Sequence, residues 1–360
     1  MDSPRAAEAA GGERLSETAT DRPQVSVVVV NYNGADALQG CLDALLADTD
    51  DATAEILVVD NASSDGSDAI AATVADRHER VKLLRSASNR GYAGAVNLAL
   101  AEARGAYVAV LNMDVVVSPG WLRPLIAFCE ANPDAGAVCP LILLESDPDR
   151  INAAGQNVHV TGLGFNRWLG KPRRLAGEAP FRVSGLHGAA FLIRAELLRE
   201  LGGWDESGFL YHEDVQLSWL LRLAGREIYC APASTVRHDY HLTMFPHKLF
   251  LLERNRLAML AADLRLRTRL ALSPLLALSE LMMWGYCLLR GPSFLRAKLD
   301  SYRWVVGHRE RIRDRRRLVE SVRRRSDWAV LRRLRWGYPL DQLVTLGRER
   351  GESQRNRITA

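Results

Sequence analysis

The run Val25-Ser-Val-Val-Val-Val30, stopped by Asn31-Tyr-Asn-Gly34, sets the narrowest limit on what this chain can fold into. An unbroken β-branched stretch of this length suits a strand buried on both faces, which requires a parallel sheet covered by helices. The segments that follow keep to that plan. Ala37 to Ala47 spaces Leu38, Cys41, Leu42, Leu45 and Leu46 as a helix does, and Glu55-Ile-Leu-Val-Val59 reads as a second strand. It closes on Asp60-Asn-Ala-Ser-Ser-Asp-Gly66, a turn with Ser and Asp available to cap the next helix. Val81 to Leu84 is a further strand, Gly94 to Ala103 a helix, and Ala106 to Leu111 a strand that ends at Asn112-Met-Asp114. Such alternation predicts a doubly wound α/β layer, in which ligands bind beyond the carboxyl ends of the strands. The polar clusters Asn31–Asn33, Asp60–Asp65 and Asn112–Asp114 all fall at such ends.

Further along, 155–180 is irregular, with loops or an edge hairpin expected, and Ser184 to Arg194 is a glycine-bearing strand candidate. Leu210-Tyr-His-Glu-Asp-Val-Gln-Leu-Ser-Trp219 opens a helix to about Leu223, and after Pro246 long helices rich in Leu and Arg take over. The expected division is a disordered leader at 1–22, a catalytic domain at 23–245 and a helical, basic region at 246–360. The leader lacks an apolar stretch and is not read as a signal peptide. Five scattered cysteines, with no C-x-x-C pair, point to reduced thiols in a cytoplasmic compartment. Net charge is only +4, but arginines crowd the chain from Arg290 onward. An anionic membrane surface is the partner expected for that tail; nucleic acid ranks below it, since no recognition module accompanies the charge. Leu270 to Leu289 is largely apolar but carries Pro274 and Glu280. It reads as an interfacial or re-entrant helix, or as a helix packed on the catalytic domain or on a second subunit.

Three segments carry candidate chemistry, each with a plainer alternative. Asp114, just past a buried strand, can hold a hard divalent cation or simply cap a turn. Asp60 can accept a hydrogen bond from a pyrimidine imide or close an ordinary strand–turn–helix junction. Glu213 and Asp214, at a helix start, can be stabilised there by the helix dipole or serve as a general base. No G-x-x-x-x-G-K-[ST] run is present, and Gly162-x-Gly164 lacks both a third glycine and the strand–helix setting of a dinucleotide fingerprint.

In order, these segments resemble the family-2 inverting glycosyltransferases of GT-A fold, and within them the bacterial rhamnosyltransferase-like branch. The resemblance rests on Val27-Val-Val-Val-Asn-Tyr-Asn33, Val58-Val-Asp-Asn-Ala-Ser-Ser-Asp-Gly-Ser67, Asn89-Arg-Gly-Tyr-Ala-Gly-Ala-Val-Asn97 and Leu111-Asn-Met-Asp114. It continues through Gly188-Ala-Ala-Phe-Leu-Ile-Arg194, Gly202-Gly-Trp-Asp-Glu206 and Phe209-Leu-Tyr-His-Glu-Asp-Val-Gln-Leu-Ser-Trp219. It implies a mixed GT-A sheet followed by a helical C-terminal region. It also implies a nucleotide-sugar pocket taking in Asn31, Tyr32, Asn33, Asp60, Asp65, Arg90, Asn97 and Asn112, with Tyr32 and Asp60 on the base. Asp214 falls on the catalytic base position, and Asp114 on the last Asp of a D-x-D metal motif whose first Asp is here Asn112. His238, or alternatively His241, would complete the shell of an Mg²⁺ or Mn²⁺ ion. Glu213 and Trp219 stand on the acceptor side, with core packing the default for Trp219. The implied reaction moves a sugar from dTDP-rhamnose or a UDP-sugar to a lipid-linked saccharide at the cytoplasmic face of the membrane. A processive synthase would carry several spans and Q-x-x-R-W; a silent membrane scaffold would have lost the base or the metal residue.

Overall fold

The computed structural model of the protein describes residues 23–48, 54–241, 243–339 and 342; the expected leader at 1–22 lies outside them. The first half alternates as expected: β1 (Val25–Asn31), α1 (Leu38–Ala47), β2 (Glu55–Asp60), α2 (Ser67–Arg77), β3 (Val81–Arg85), α3 (Gly91–Glu102) and β4 (Tyr107–Asn112). Next come β5 (Val115–Val117), α4 (Leu122–Ala131), β6 (Ala135–Leu144), β7 (Ile151–Ala153), β8 (Gln156–Val158), β9 (Gly164–Asn166) and β10 (Phe181–Arg182). The sheet-bearing part ends with β11 (Ala190–Arg194), α5 (Ala195–Glu200), α6 (Glu213–Leu223) and β12 (Glu227–His238). Helices α7 (Pro246–Asp263), α8 (Leu266–Ala271), α9 (Ser273–Arg290), α10 (Pro292–Gly307), α11 (Arg309–Val322) and α12 (Asp327–Leu331) follow.

The main sheet runs β10-β12-β6-β11-β4-β1-β2-β3, with β5 on β12 and β7 on β6. β4, β1, β2 and β3 pair in parallel, whereas β11 lies antiparallel between β4 and β6. This is the mixed, doubly wound sheet expected, followed by helices. Every residue of β1 is buried, and its side chains alternate between the two cores, Val28 and Val30 on one face and Val25, Val27 and Val29 on the other. Strand order reverses between β1 and β4, where Val30 pairs with Asn112 and Asn31 with Asp60. The crevice at that switch point is where such sheets bind ligands.

Two expectations change. Only Ala190–Arg194 of the Ser184–Arg194 segment is strand; the part before it, with Gly185 and Gly188, is loop that meets α6 side chains. The irregular 155–180 stretch contains the small β8–β9 hairpin. The apolar Leu270–Leu289 segment divides between α8 and α9, with Pro274 at the start of α9 rather than inside it. Pro is tolerated there because the first helical amides have no internal partner. Glu280 does not face outward: it pairs with Arg256 at 2.5 Å and Lys298 at 2.7 Å. Those two cations also bind Glu253, so a buried ionic cluster joins α7, α9 and α10. α9 is thus a packed helix on one side, while Leu278, Leu281, Leu288 and Leu289 stay exposed. No helix among the described residues is long and apolar enough to cross a membrane.

Candidate active site

Tight turns after β1 and β2 are laced together. Asn31 Nδ2 reaches Asp60 Oδ1 at 3.0 Å and the Ser63 and Ser67 hydroxyls. Asn33, at a φ of 51°, accepts from the Ser64 amide at 2.8 Å. Asn31 Oδ1 remains buried without a partner. Asp60, Asn31 and Asn33 therefore converge at the switch-point crevice, and the Tyr32 amide rests against Met113 Sδ at 3.4 Å.

Asp65 is drawn into the turn itself. Its oxygens accept from the Ala35 amide, the Ser67 amide and the Ser67 hydroxyl. Although burial alone would raise its pKa, these bonds hold it below the usual carboxylate range. Asn97 is similarly committed, bonding both the amide and the carbonyl of Trp204 at 2.9 Å, and Arg90 pairs with Glu206 at 2.9 Å. These three, expected in the pocket, are here bonded to the loops around it. Trp219 is 1% exposed and lies in the core, so it does not reach the acceptor side.

Asp114 stands in the turn between β4 and β5, next to Asn112, the last residue of β4. Its Oδ1 is buried without a hydrogen-bond partner and lies 3.3 Å from His238 Nε2. His238 ends β12, which pairs with β5 so that His238 opposes Val115. Its Nδ1 is 2.9 Å from Asn152 Oδ1. With Nδ1 engaged by Asn152, Nε2 is the ring nitrogen turned toward Asp114. The buried, unpartnered Asp114 Oδ1 and this nitrogen are close enough to share one cation. The oxygen and nitrogen donors suit a divalent ion that takes its remaining ligands from phosphate and water. No cluster of three or more metal-ligating side chains occurs among the described residues. His241 pairs instead with Asp239 at 3.1 Å, both exposed.

The carboxylate pair sits at the start of α6. Asp214 Oδ2 accepts from Gln156 Nε2 at 2.7 Å and the Gly188 amide at 3.2 Å, and Oδ1 from the Val215 amide at 2.7 Å. Burial raises its pKa despite these bonds. Glu213 is pushed up to about 8 by burial and by the charge of Asp214, and its Oε2 is buried without a partner. Neighbouring His187 connects the two centres: its ring meets that of His238 at 6.1 Å, while the next amide, Gly188, holds Asp214. Burial, then His238, pushes His187 down to about 3, so it stays neutral. Tyr92 donates to the Gly188 carbonyl at 2.9 Å. Its pKa is raised far above normal by burial and then by Glu213, Asp214 and Asp114, whose negative charges all bear on it.

The loop leading into α6 is strained. Phe209, Tyr211 and His212 all take positive φ values, 61°, 64° and 72°. With Leu210 N bonded to Gly208 O at 2.8 Å, Phe209 forms the rarer, strained kind of γ-turn. Helix α7 holds the loop. Asn255 Nδ2 contacts the carbonyls of Gly208, Leu210 and Tyr211 at 2.9, 3.2 and 2.8 Å, and Arg254 that of Gly208 at 3.0 Å. On the other side Gly91 is obligatory, because a Cβ there would stand 2.1 Å from Phe209 O. Sequence reasoning missed Gln156, His187, Asn152 and Asn255. Only Asn255 carried a signal, its place in the segment Phe245–Arg256.

The family model described as "Glycosyl transferase family 2" matches residues 26–202. N-acetylglucosaminyl-diphospho-decaprenol L-rhamnosyltransferase of Mycobacterium tuberculosis is 32% identical over 244 residues, covering 60% of this chain and 76% of the relative. Succinoglycan biosynthesis protein ExoO of Rhizobium meliloti is 30% identical over 218 residues, 59% of this chain and 56% of that protein. Among solved structures, GalNAc-T7 with UDP, GalNAc and Mn²⁺ superposes with a TM-score of 0.56 at 21% identity, over 66% of this chain and 48% of that one. At that identity the likeness concerns the fold.

Proposed function

The chain belongs to glycosyl transferase family 2, and from that premise we propose that Asp214 is the base of an inverting sugar transfer. The donor is a nucleoside diphosphate sugar, dTDP-rhamnose or a UDP-sugar, and the acceptor is a hydroxyl of a lipid-linked saccharide in cell-envelope polysaccharide synthesis. The relative named for L-rhamnosyl transfer to a decaprenol-linked sugar supports this choice of substrates. One observation carries the reading: consecutive loop residues link the two centres, His187 with its ring 6.1 Å from that of His238, the neighbour of Asp114, and Gly188 with its amide on Asp214.

Nucleotide contacts fall to Asn31, Tyr32, Asn33 and Asp60, with Asn112 beside the phosphates. Asp114 and His238 would hold Mg²⁺ or Mn²⁺, which when bound neutralises the leaving diphosphate. Asp214 takes the acceptor proton as the hydroxyl oxygen bonds to the sugar carbon and the carbon–diphosphate bond breaks on the opposite face. The Gly188 and Val215 amides and Gln156 fix the carboxylate for this step. Glu213 borders the acceptor side and retains a proton. Exposed leucines of α9 and the arginines of α11 support a peripheral seat at the cytoplasmic face of the membrane.

The test is metal-dependent release of nucleoside diphosphate from a panel of nucleotide sugars. Wild type is expected to turn over one donor, with Asp214→Asn and Asp114→Ala each at least ~100-fold slower. Full activity in Asp214→Asn would remove the base assignment. Silence across the panel, with membrane lipids supplied as acceptor, would favour a non-catalytic scaffold.

A further inference from the structure

Between α9 and the catalytic half lies a groove of about 570 Å³ that the reaction itself leaves unexplained. Its volume falls within the roughly 300–1,000 Å³ usual for small-molecule sites, and such sites are mostly apolar. Its walls include Leu249, Leu252, Met244, Met282 and Met283. Unbranched methionines adapt to an apolar guest of variable shape. The charged groups in the wall are Glu253 and Arg256, which neutralise one another.

The two ends differ. One side has His212 and Tyr240 in its lining. His212 directly precedes Glu213 and Asp214, and the Tyr240 ring lies 5.9 Å from that of His238. This end therefore abuts the catalytic crevice. The other end reaches Gly285, Tyr286 and Leu289, the last 90% exposed, where the leucine-bearing outer side of α9 begins. An apolar groove lined by neighbours of the reacting groups and by the exposed Leu289 matches an amphiphile whose polar head is the acceptor.

We propose that this groove seats the hydrocarbon chain of the acceptor, with its saccharide head delivered past His212 and Tyr240 to Asp214. The proposal rests on the transfer reading above. It adds that chain length, not only the sugar head, governs acceptor binding. Continuity with the catalytic crevice selects the acceptor's own chain over a bilayer lipid, which would need only the outer opening.

Gly285 provides the means to test it. A Cβ at this helical position meets nothing within 4 Å, so a large side chain can enter the groove without moving backbone. Gly40, exposed on the outer face of α1, is equally open and serves as the control. Binding of monomeric n-butyl and n-dodecyl phosphate is measured by calorimetry on the full chain. Wild type and Gly40→Trp should bind the dodecyl probe at least ten-fold more tightly than the butyl probe. Gly285→Trp, or Gly285→Leu if the larger residue prevents folding, should bring the two within about two-fold. Circular dichroism should be the same in all these proteins.

Affinity independent of chain length, or unaltered by both Gly285 substitutions, would overturn the groove assignment while leaving the transfer reading intact. Chain-dependent binding by a protein inactive on every donor and acceptor would overturn the acceptor role through failure of the transfer reading. Self-association of wild type that Gly285→Trp abolishes would assign the groove to a second copy and overturn the proposal.

Discussion

Glu213 and Asp214 are adjacent in sequence, yet their surroundings separate them. Asp214 is held by two backbone amides and Gln156, whereas Glu213 keeps a buried oxygen without a partner. An ordinary glutamate loses its proton near 4.5, but Glu213 in the folded protein keeps it to about 8. Between these values the folded state binds more protons than the unfolded one, so stability falls as pH rises and the loss is complete above 8. Glu213→Gln should therefore raise the Tm relative to wild type at pH 8.5, with the difference vanishing near pH 4. A thermal scan showing the same gain at both pH values would place the cause elsewhere. The two acids were legible as residue types, and the resemblance separated their roles. The atoms that divide them were not, since Gln156 in the short strand β8 and Gly188 in a loop are placed by tertiary packing.

At the level of elements, the decisive piece is the strained loop before α6 and the α7 residues that hold it. Removing the Asn255 amide leaves the carbonyls it contacts short of a donor, at a cost of about 2–3 kcal/mol. Asn255→Ala should lower denaturant stability by that amount and slow turnover at least ten-fold. A fall in stability with turnover unchanged would show that the loop keeps its shape without the clamp. Gly91→Ala meets the same loop from the opposite side. With a positive φ of 70° and Phe209 O in the way, it should abolish transfer even in soluble, folded protein, as checked by circular dichroism and product release. The strands that place the crevice were readable because buried β-branched runs such as Val25–Val30 have few alternatives. The loop was not, because Phe209, Tyr211 and His212 take backbone conformations their own side chains disfavour. Asp65, Arg90 and Asn97 show the same limit: a polar residue near a site reads alike whether it meets ligand or braces the loop beside it.

Across the molecule, the C-terminal helices are bound to the catalytic half by charge as much as by apolar contact. Glu253 and Arg256 are each 1% exposed, and Lys298 is fully buried with them. Burial would raise the pKa of Glu253, but Arg256 and Lys298 hold it down to about 2. Glu253→Ala leaves those cations with Glu280 as their remaining partner and should cost about 3–5 kcal/mol in chemical denaturation. A loss below about 1 kcal/mol would mean that water replaces the missing carboxylate. Farther on, Arg325 and Arg333 return to Glu227 at the start of β12, and Arg335 exchanges backbone bonds with Val158 and Val160. The order of synthesis gives these contacts a meaning in time. Chains fold from the amino end as they leave the ribosome, so both carboxylates of α6 emerge well before Asn255, and before the arginines that secure β12. A growing chain thus carries its acids before it has the clamp that aims them.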